Sequence, residues 1–282
     1  MASSQAFTRA RCVAAQCVAA GTTAAVPIAA MRRYVFAGNW KMHKTAAEAI
    51  VLARALREGL ERDATRHEVV VMPPFTALAA VRDVLRGSTL ALGGQDMHWE
   101  REGAFTGGIS PVMLREAGCT HVILGHSERR HVFGETDEAV GRKTRAAFDH
   151  GLTPVACVGE TLRERESNRT LEVVGRQVEA ALGSLKPQEV ACMAIAYEPV
   201  WAIGTDHAAT PEQAQAVHAF LRERVAVSHG DAPARDVRIL YGGSVHPANT
   251  PDIMAQADVD GVLVGAASLE AEAFLGIVNY RA

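Results

Sequence analysis

Three side chains and two small-residue turns in this 282-residue chain have the types and spacing to work on a small anionic substrate. An apolar run from Val190 to Ala196 ends in a lone carboxylate, Glu198, followed by Pro199, Trp201, Ile203 and Gly204. An acid at the carboxyl end of a buried strand, ahead of a stiff apolar segment, can act as a base beneath a lid. The plainer reading is a helix cap. Lys41, in Gly38-Asn39-Trp40-Lys41, offers fixed positive charge, although most lone lysines are simply exposed. His126, in Gly125-His126-Ser127-Glu128, can polarise a carbonyl or move protons, and is otherwise a capping or core imidazole. Tyr241-Gly242-Gly243-Ser244-Val245 and Val264-Gly265-Ala266-Ala267-Ser268 read as small-residue turns leading into helices, with exposed backbone N–H groups of the kind that bind phosphate. One such turn is weak support; two of them opposite a Lys, a His and a Glu form a set.

Each of these residues follows a short apolar run, and those runs supply the scaffold. Strands are expected at Tyr34-Ala37, Val69-Met72, Leu90-Leu92, His121-Leu124, Pro154-Val158, Cys192-Tyr197, Val237-Tyr241 and Val262-Val264, eight in all. Helical patterns fill the gaps. Apolar residues at Ile50, Leu52, Leu56 and Leu60 mark Ala46-Leu60, and Leu162-Leu182 is charged on one face. Pro211-Val227 opens with Thr210 as N-cap and Glu212 in its first turn. Strands alternating with helices predict a parallel sheet with right-handed crossovers. Eight units at about 30 residues each fit a closed (β/α)8 barrel of ~250 residues, a TIM barrel, better than an open sheet. In that fold chemistry gathers past the strands, and the loops after strands seven and eight hold phosphate. No Gly-x-Gly-x-x-Gly follows the first strand and no Gly-Lys-Ser/Thr loop occurs, which removes most support for dinucleotide and nucleoside-triphosphate folds. Residues 31–282 read as one domain.

The formal net charge is -3, so nothing points to a nucleic-acid or anionic-membrane partner. No apolar run approaches the ~20 residues of a membrane span. The five cysteines are scattered without metal-ligand spacing and fit a reducing compartment. Met1 to Ala30 is rich in Ala, Ser and Thr, carries Arg9 and Arg11, and has no acidic residue. That composition fits either an organellar transit peptide or sequence upstream of an initiator at Met31. The second reading is adopted, which makes a cytoplasmic location the expectation and an organellar one the alternative.

Longer motifs run through the same positions. They are Gly38-Asn39-Trp40-Lys41-Met42, Gly103-Ala104-Phe105-Thr106-Gly107, and Ile123-Leu124-Gly125-His126-Ser127-Glu128-Arg129-Arg130. To these add Tyr197-Glu198-Pro199-Val200-Trp201-Ala202-Ile203-Gly204-Thr205 and Tyr241-Gly242-Gly243-Ser244-Val245. On them the chain resembles the triosephosphate isomerase family from about Arg33 to Ile277. The resemblance implies interconversion of dihydroxyacetone phosphate and glyceraldehyde 3-phosphate through an enediolate, in glycolysis and gluconeogenesis, with no metal or organic cofactor. It makes Glu198 the base, His126 the electrophile, and Lys41 with Asn39 the electrostatic stabilisers. It puts the phosphate on backbone groups at Gly204, Ser244, Gly265 and Ala266, with Gly243 beside them. Ile203 and Leu263 become an apolar clamp over Glu198, in a lid from Pro199 to Ala209 latched by Tyr241. Glu128 is implied as the ion-pair partner of Lys41, and Cys157 as packing. The Gly103–Gly108 loop, with Thr106 near its tip, resembles an arm that enters a second subunit, so a homodimer is expected.

Three positions depart from that family pattern: Asp206 and Ala266 stand where Gly is usual, and Gly108 where Glu is usual. Ala266 keeps its N–H and can still meet a phosphate if its φ is negative. Gly108 lacks a carboxylate to pair with Arg129. Asp206 adds negative charge to a lid that must close over a phosphate dianion, and reduced activity is the expectation. A weakened barrel that only binds a phosphate ligand, and another phosphosugar enzyme on the same barrel, are the competing readings.

Overall fold

The computed structural model describes residues 32–63, 67–203 and 209–280. The extension Met1–Ala30, and Gly204 and Asp206 of the lid, lie outside the described residues. Eight parallel strands are observed: β1 (Val35–Asn39), β2 (Glu68–Met72), β3 (Ala91–Gly94), β4 (His121–Leu124), β5 (Thr153–Val158), β6 (Ala194–Tyr197), β7 (Arg238–Tyr241) and β8 (Gly261–Val264). They pair in chain order and close into a barrel, with Val35 of β1 opposite Gly261 of β8. The closed (β/α)8 architecture expected from the spacing is the one found.

Helices join the strands: α1 (Ala46–Asp63), α2 (Leu78–Leu85), α3 (Pro111–Glu116), α4 (Ser127–His131), α5 (Asp137–Asp149), α6 (Leu162–Glu166), α7 (Thr170–Leu182), α8 (Pro187–Val190), α9 (Pro211–His229), α10 (Asp231–Asp236), α11 (Thr250–Met254) and α12 (Ala271–Val278). The strands read as near-continuous apolar runs because both faces are covered. Alternate residues point to opposite faces. Val35, Ala37, Val70, Ile123, Val155, Ala194, Ala196 and Leu263 therefore fill the barrel interior. Phe36, Val69, Leu124, Ile195 and Val264 pack outward with the helices. That parity runs to the last residue of β1 and one residue past β6. Asn39 shares the inward face with Val35 and Ala37, and Glu198 shares it with Ala194 and Ala196.

Two helical expectations need correction. Leu162–Leu182 is not one helix, because Asn168 adopts φ +57 and separates α6 from α7. Asn enters the left-handed region more readily than other side chains. The turns after β7 and β8 also do not open directly into α-helices. Gly265 leads into a 3₁₀ turn at Ala266–Leu269, and the chain after β7 becomes helical only at Thr250. At the opposite mouth, Asp260 accepts from Arg32 and, at 2.7 Å, from Arg222, which also pairs with Asp258 at 2.6 Å. This paired cluster fits the structural role usual for that end of the barrel.

Candidate active site

Residues from five strand ends converge on a cavity of about 160 Å³, lined by Asn39, Lys41, His126, Glu198, Ile203, Gly242, Gly243, Ser244, Val245, Leu263 and Gly265 to Ala267. Except for Gly204, which lies outside the described residues, the phosphate and clamp residues expected from sequence all line it. Thr106, exposed in the loop after β3, does not line this cavity, and neither do Glu128 and Tyr241.

Glu198 is 2% exposed and follows β6 with its carboxylate held at both oxygens. The Ser127 N–H donates to Oε2 at 2.9 Å, and Nε2 of His126 stands 3.1 Å from Oε1. Two glycines make room for it. A Cβ at Gly159 would lie 1.8 Å from the Glu198 carbonyl oxygen, and one at Gly242 would lie 2.8 Å from the Glu198 Cγ. Gly242→Ala should therefore displace the carboxylate. A misplacement of ~1 Å costs up to about 10²-fold, so a kcat loss of about tenfold or more is expected. Steady-state kinetics at wild-type kcat in that variant would contradict the packing argument.

His126 begins α4 as its N-cap, and its Nδ1 accepts the Glu128 N–H at 3.2 Å. An imidazole nitrogen that accepts carries no proton, so the network assigns the N–H to Nε2, facing Glu198. The short α4 supplies little dipole; the local N–H contact fixes the tautomer. Gly125, immediately before, has φ +71, which turns the chain after β4 and favours glycine. Its peptide is pinned by Glu135, which accepts the Gly125 N–H at 3.1 Å, and by Arg130, which donates to the Gly125 carbonyl at 2.7 Å. Arg130 also reaches the Cys157 carbonyl at 3.1 Å, tying the ends of β4 and β5 together.

Lys41 pairs with Glu128, Nζ to Oε1, at 2.7 Å. The Cys157 thiol is buried against Glu198, and burial first, then the neighbouring carboxylate, push its pKa well above the ordinary thiol value. It is a packing residue, not a thiolate. Ala266 lies in the 3₁₀ turn and is not among the described residues with positive φ, so its N–H keeps the orientation the turn gives it. Arg129 keeps an ion pair with Asp96 at 3.2 Å, while its buried Nε has no partner.

The segment after β6, expected from sequence to open a lid, begins at a fixed anchor that sequence reading passed over. Glu160, fully buried, accepts from the Tyr197 hydroxyl at 3.1 Å, from Trp201 Nε1 at 2.9 Å and from Arg165 at 3.3 Å. Its carbonyl accepts the Val200 N–H at 3.1 Å. The signal was available: Glu160 is a carboxylate two residues past β5, as Glu198 is just past β6. The Tyr241 hydroxyl, the expected latch, is buried with no hydrogen-bond partner. Burial raises its pKa to about 12, so it remains a donor.

The arrangement brings a buried carboxylate, an imidazole N–H, an ammonium and the small-residue turns after β7 and β8 to one cavity. A family model described as triosephosphate isomerase matches residues 34–281. The chain is 54% identical over 250 residues to the triosephosphate isomerase of Roseiflexus sp. (strain RS-1), covering 89% of this chain and 98% of that one. It is 54% identical over 251 residues to that of Pelobacter propionicus, covering 89% and 100%. Over 250 residues it is 52% identical to that of Moorella thermoacetica, covering 89% and 99%.

Proposed function

The chain belongs to the triosephosphate isomerase family, and we propose that it interconverts dihydroxyacetone phosphate and D-glyceraldehyde 3-phosphate as a step of glycolysis and gluconeogenesis, with Glu198 as base. The observation that carries this is the Glu198 carboxylate 3.1 Å from the protonated nitrogen of His126, at the floor of a cavity ringed by Ser244, Gly265 and Ala266.

The substrate phosphate sits on the backbone N–H groups of Ser244, Gly265 and Ala266, beside Gly243, which places the carbonyl carbon over Glu198. The carboxylate takes a proton from the carbon next to the carbonyl and later returns it to the neighbouring carbon. His126 shifts its Nε2–H from Glu198 to the substrate oxygen as charge develops there. The Lys41 ammonium, with Asn39 beside it, offsets the negative charge of the enediolate. Donors fixed before the reaction cost no reorganisation, which makes them the largest expected contribution. Ile203 and Leu263 close over the carboxylate and exclude water, which strengthens each charge interaction. Gly204 is the lid's contribution to the phosphate site.

A homodimer fits the exposed apolar side chains on the loops after β1, β3 and β4: Met42 (94% exposed), Phe105, Val132 and Phe133. Thr106 is at the tip of the arm that would enter the second copy. Among the described residues no helix is long and apolar enough to cross a membrane, and a cytoplasmic location is the companion proposal.

Asp206 restrains closure. At ~8 Å in a water-like dielectric each pair of charges costs about 0.5 kcal/mol, hence about 1 kcal/mol for a dianion. Asp206→Gly should raise kcat/KM about fivefold; an unchanged value would remove Asp206 from the account.

The function is tested by coupled assay of the purified protein with glyceraldehyde 3-phosphate. Turnover that collapses in Glu198→Gln supports the reading. Binding of inorganic phosphate with no turnover would instead make this barrel a binding protein.

A further inference from the structure

Gln177 is a polar side chain set among apolar ones. It lies on the buried face of α7 with Val173, Val174, Val178 and Ala181, and is 5% exposed. An amide in such surroundings is costly unless its groups are paired. Both groups are paired, and to one residue. Oε1 accepts the Gly159 N–H at 2.7 Å, and Nε2 donates to the Gly159 carbonyl at 3.2 Å. Only one orientation of the amide satisfies both contacts. Gly159 lies beyond the reach of its neighbouring strands, because β5 pairs with β4 as far as Ala156 and with β6 as far as Val158. The Gln177 side chain stands in for an adjoining strand.

Gly159 is also the residue on which the Glu198 main chain rests. A Cβ there would lie 1.8 Å from the Glu198 carbonyl oxygen and 2.7 Å from its carbonyl carbon. The Glu198 N–H donates to the Val158 carbonyl, one residue earlier, at 2.7 Å. At such close approach a shift of Gly159 moves Glu198. We propose that Gln177 is a positioning residue for Glu198: its amide fixes the Gly159 backbone that sets where the base stands, without lining the cavity itself. This rests on the role given to Glu198 in the proposed function and adds the means by which that carboxylate is placed. The amide chemistry is specific. A leucine has similar bulk and neither group, and an ionised glutamate would set its charge against the Gly159 carbonyl.

The test is a double-mutant cycle on kcat with Gln177→Leu, Glu198→Gln and the pair, each assayed well below its Tm. Gln177→Leu should lower kcat about ten- to hundredfold, while inorganic phosphate, held by the turns after β7 and β8, binds as it does to wild type. The double variant should match Glu198→Gln within about twofold, since residues acting through one group are not additive. Gln177→Glu should gain activity relative to wild type as pH falls, because a protonated carboxyl regains the donor to Gly159. That variant serves equally if the leucine protein fails to fold. A Gln177→Leu protein with lowered Tm but wild-type kcat would overturn the proposal, as would phosphate binding that weakens along with kcat. Losses that multiply in the double variant, or a pH-independent Gln177→Glu defect, would overturn it too. Wild-type kcat in Glu198→Gln is the distinct result that removes the base's own role, and Gln177's with it.

Discussion

Glu198→Gln lowers kcat by at least about 10³-fold, within the span that a positioned general base contributes, and leaves KM within a few-fold of wild type. The reason is local. The amide keeps nearly the shape of the carboxylate, and its oxygen can still accept from the Ser127 N–H, so the strand end and the cavity stay in place. What is lost is the capacity to take a proton from carbon. Stability should hold or rise, because a carboxylate buried beside the Cys157 thiol is desolvated, and replacing a buried charge by a neutral group of similar volume is often neutral or favourable. Glu198→Asp keeps the charge and draws it back by about one bond, and should cost up to about 10²-fold for displacement alone. Steady-state kinetics on the two variants, with thermal melts to confirm the fold, separate loss of the base from loss of its position. Comparable activity in the Gln variant would mean that another group takes the proton.

His126→Gln lowers kcat by about 10²–10³-fold, the cost usual for removing one donor aimed at a developing oxyanion. Its Nδ1 is occupied as an acceptor by the Glu128 N–H, so the ring has one N–H, and that hydrogen faces the reacting space. A glutamine amide donates from a different reach and cannot pass a proton between the two substrate oxygens. The tautomer itself can be read from the ring ¹⁵N shifts, with Nε2 protonated and Nδ1 bare. Two protonated nitrogens at neutral pH would contradict the hydrogen-bond network and the electrophile role built on it.

How far the sequence reaches is clearest at particular residues. The inward placement of Glu198 and Asn39 was legible, because strand parity carries to the strand end and just past it, and both follow apolar runs. The barrel was legible for the same reason: alternation along the chain encodes which face is buried. The Lys41–Glu128 pair came through the family motif. Contacts that join separate strand ends were not legible. Nothing local links Gln95 to Lys41, Arg130 to Cys157, or the Ser127 N–H to Glu198, since these meet only when the sheet closes. The break at Asn168 was missed because α6 before it buries no residue, so no apolar period is there to be interrupted. Glu160 was missed although its position past β5 parallels that of Glu198. Its partners, Tyr197 and Trp201, lie in the very motif that drew attention to the base.

The central claim is that Glu198 moves a proton between neighbouring carbons. The most direct measurement is isomerisation of glyceraldehyde 3-phosphate in D₂O, followed by ¹H NMR of the dihydroxyacetone phosphate formed. The account predicts deuterium on the hydroxymethyl carbon next to the carbonyl, from turnovers in which the Glu198 proton exchanges with solvent. Glu198→Gln should form that labelled product at least about 10³-fold more slowly. Labelling by Glu198→Gln at the wild-type rate would contradict it.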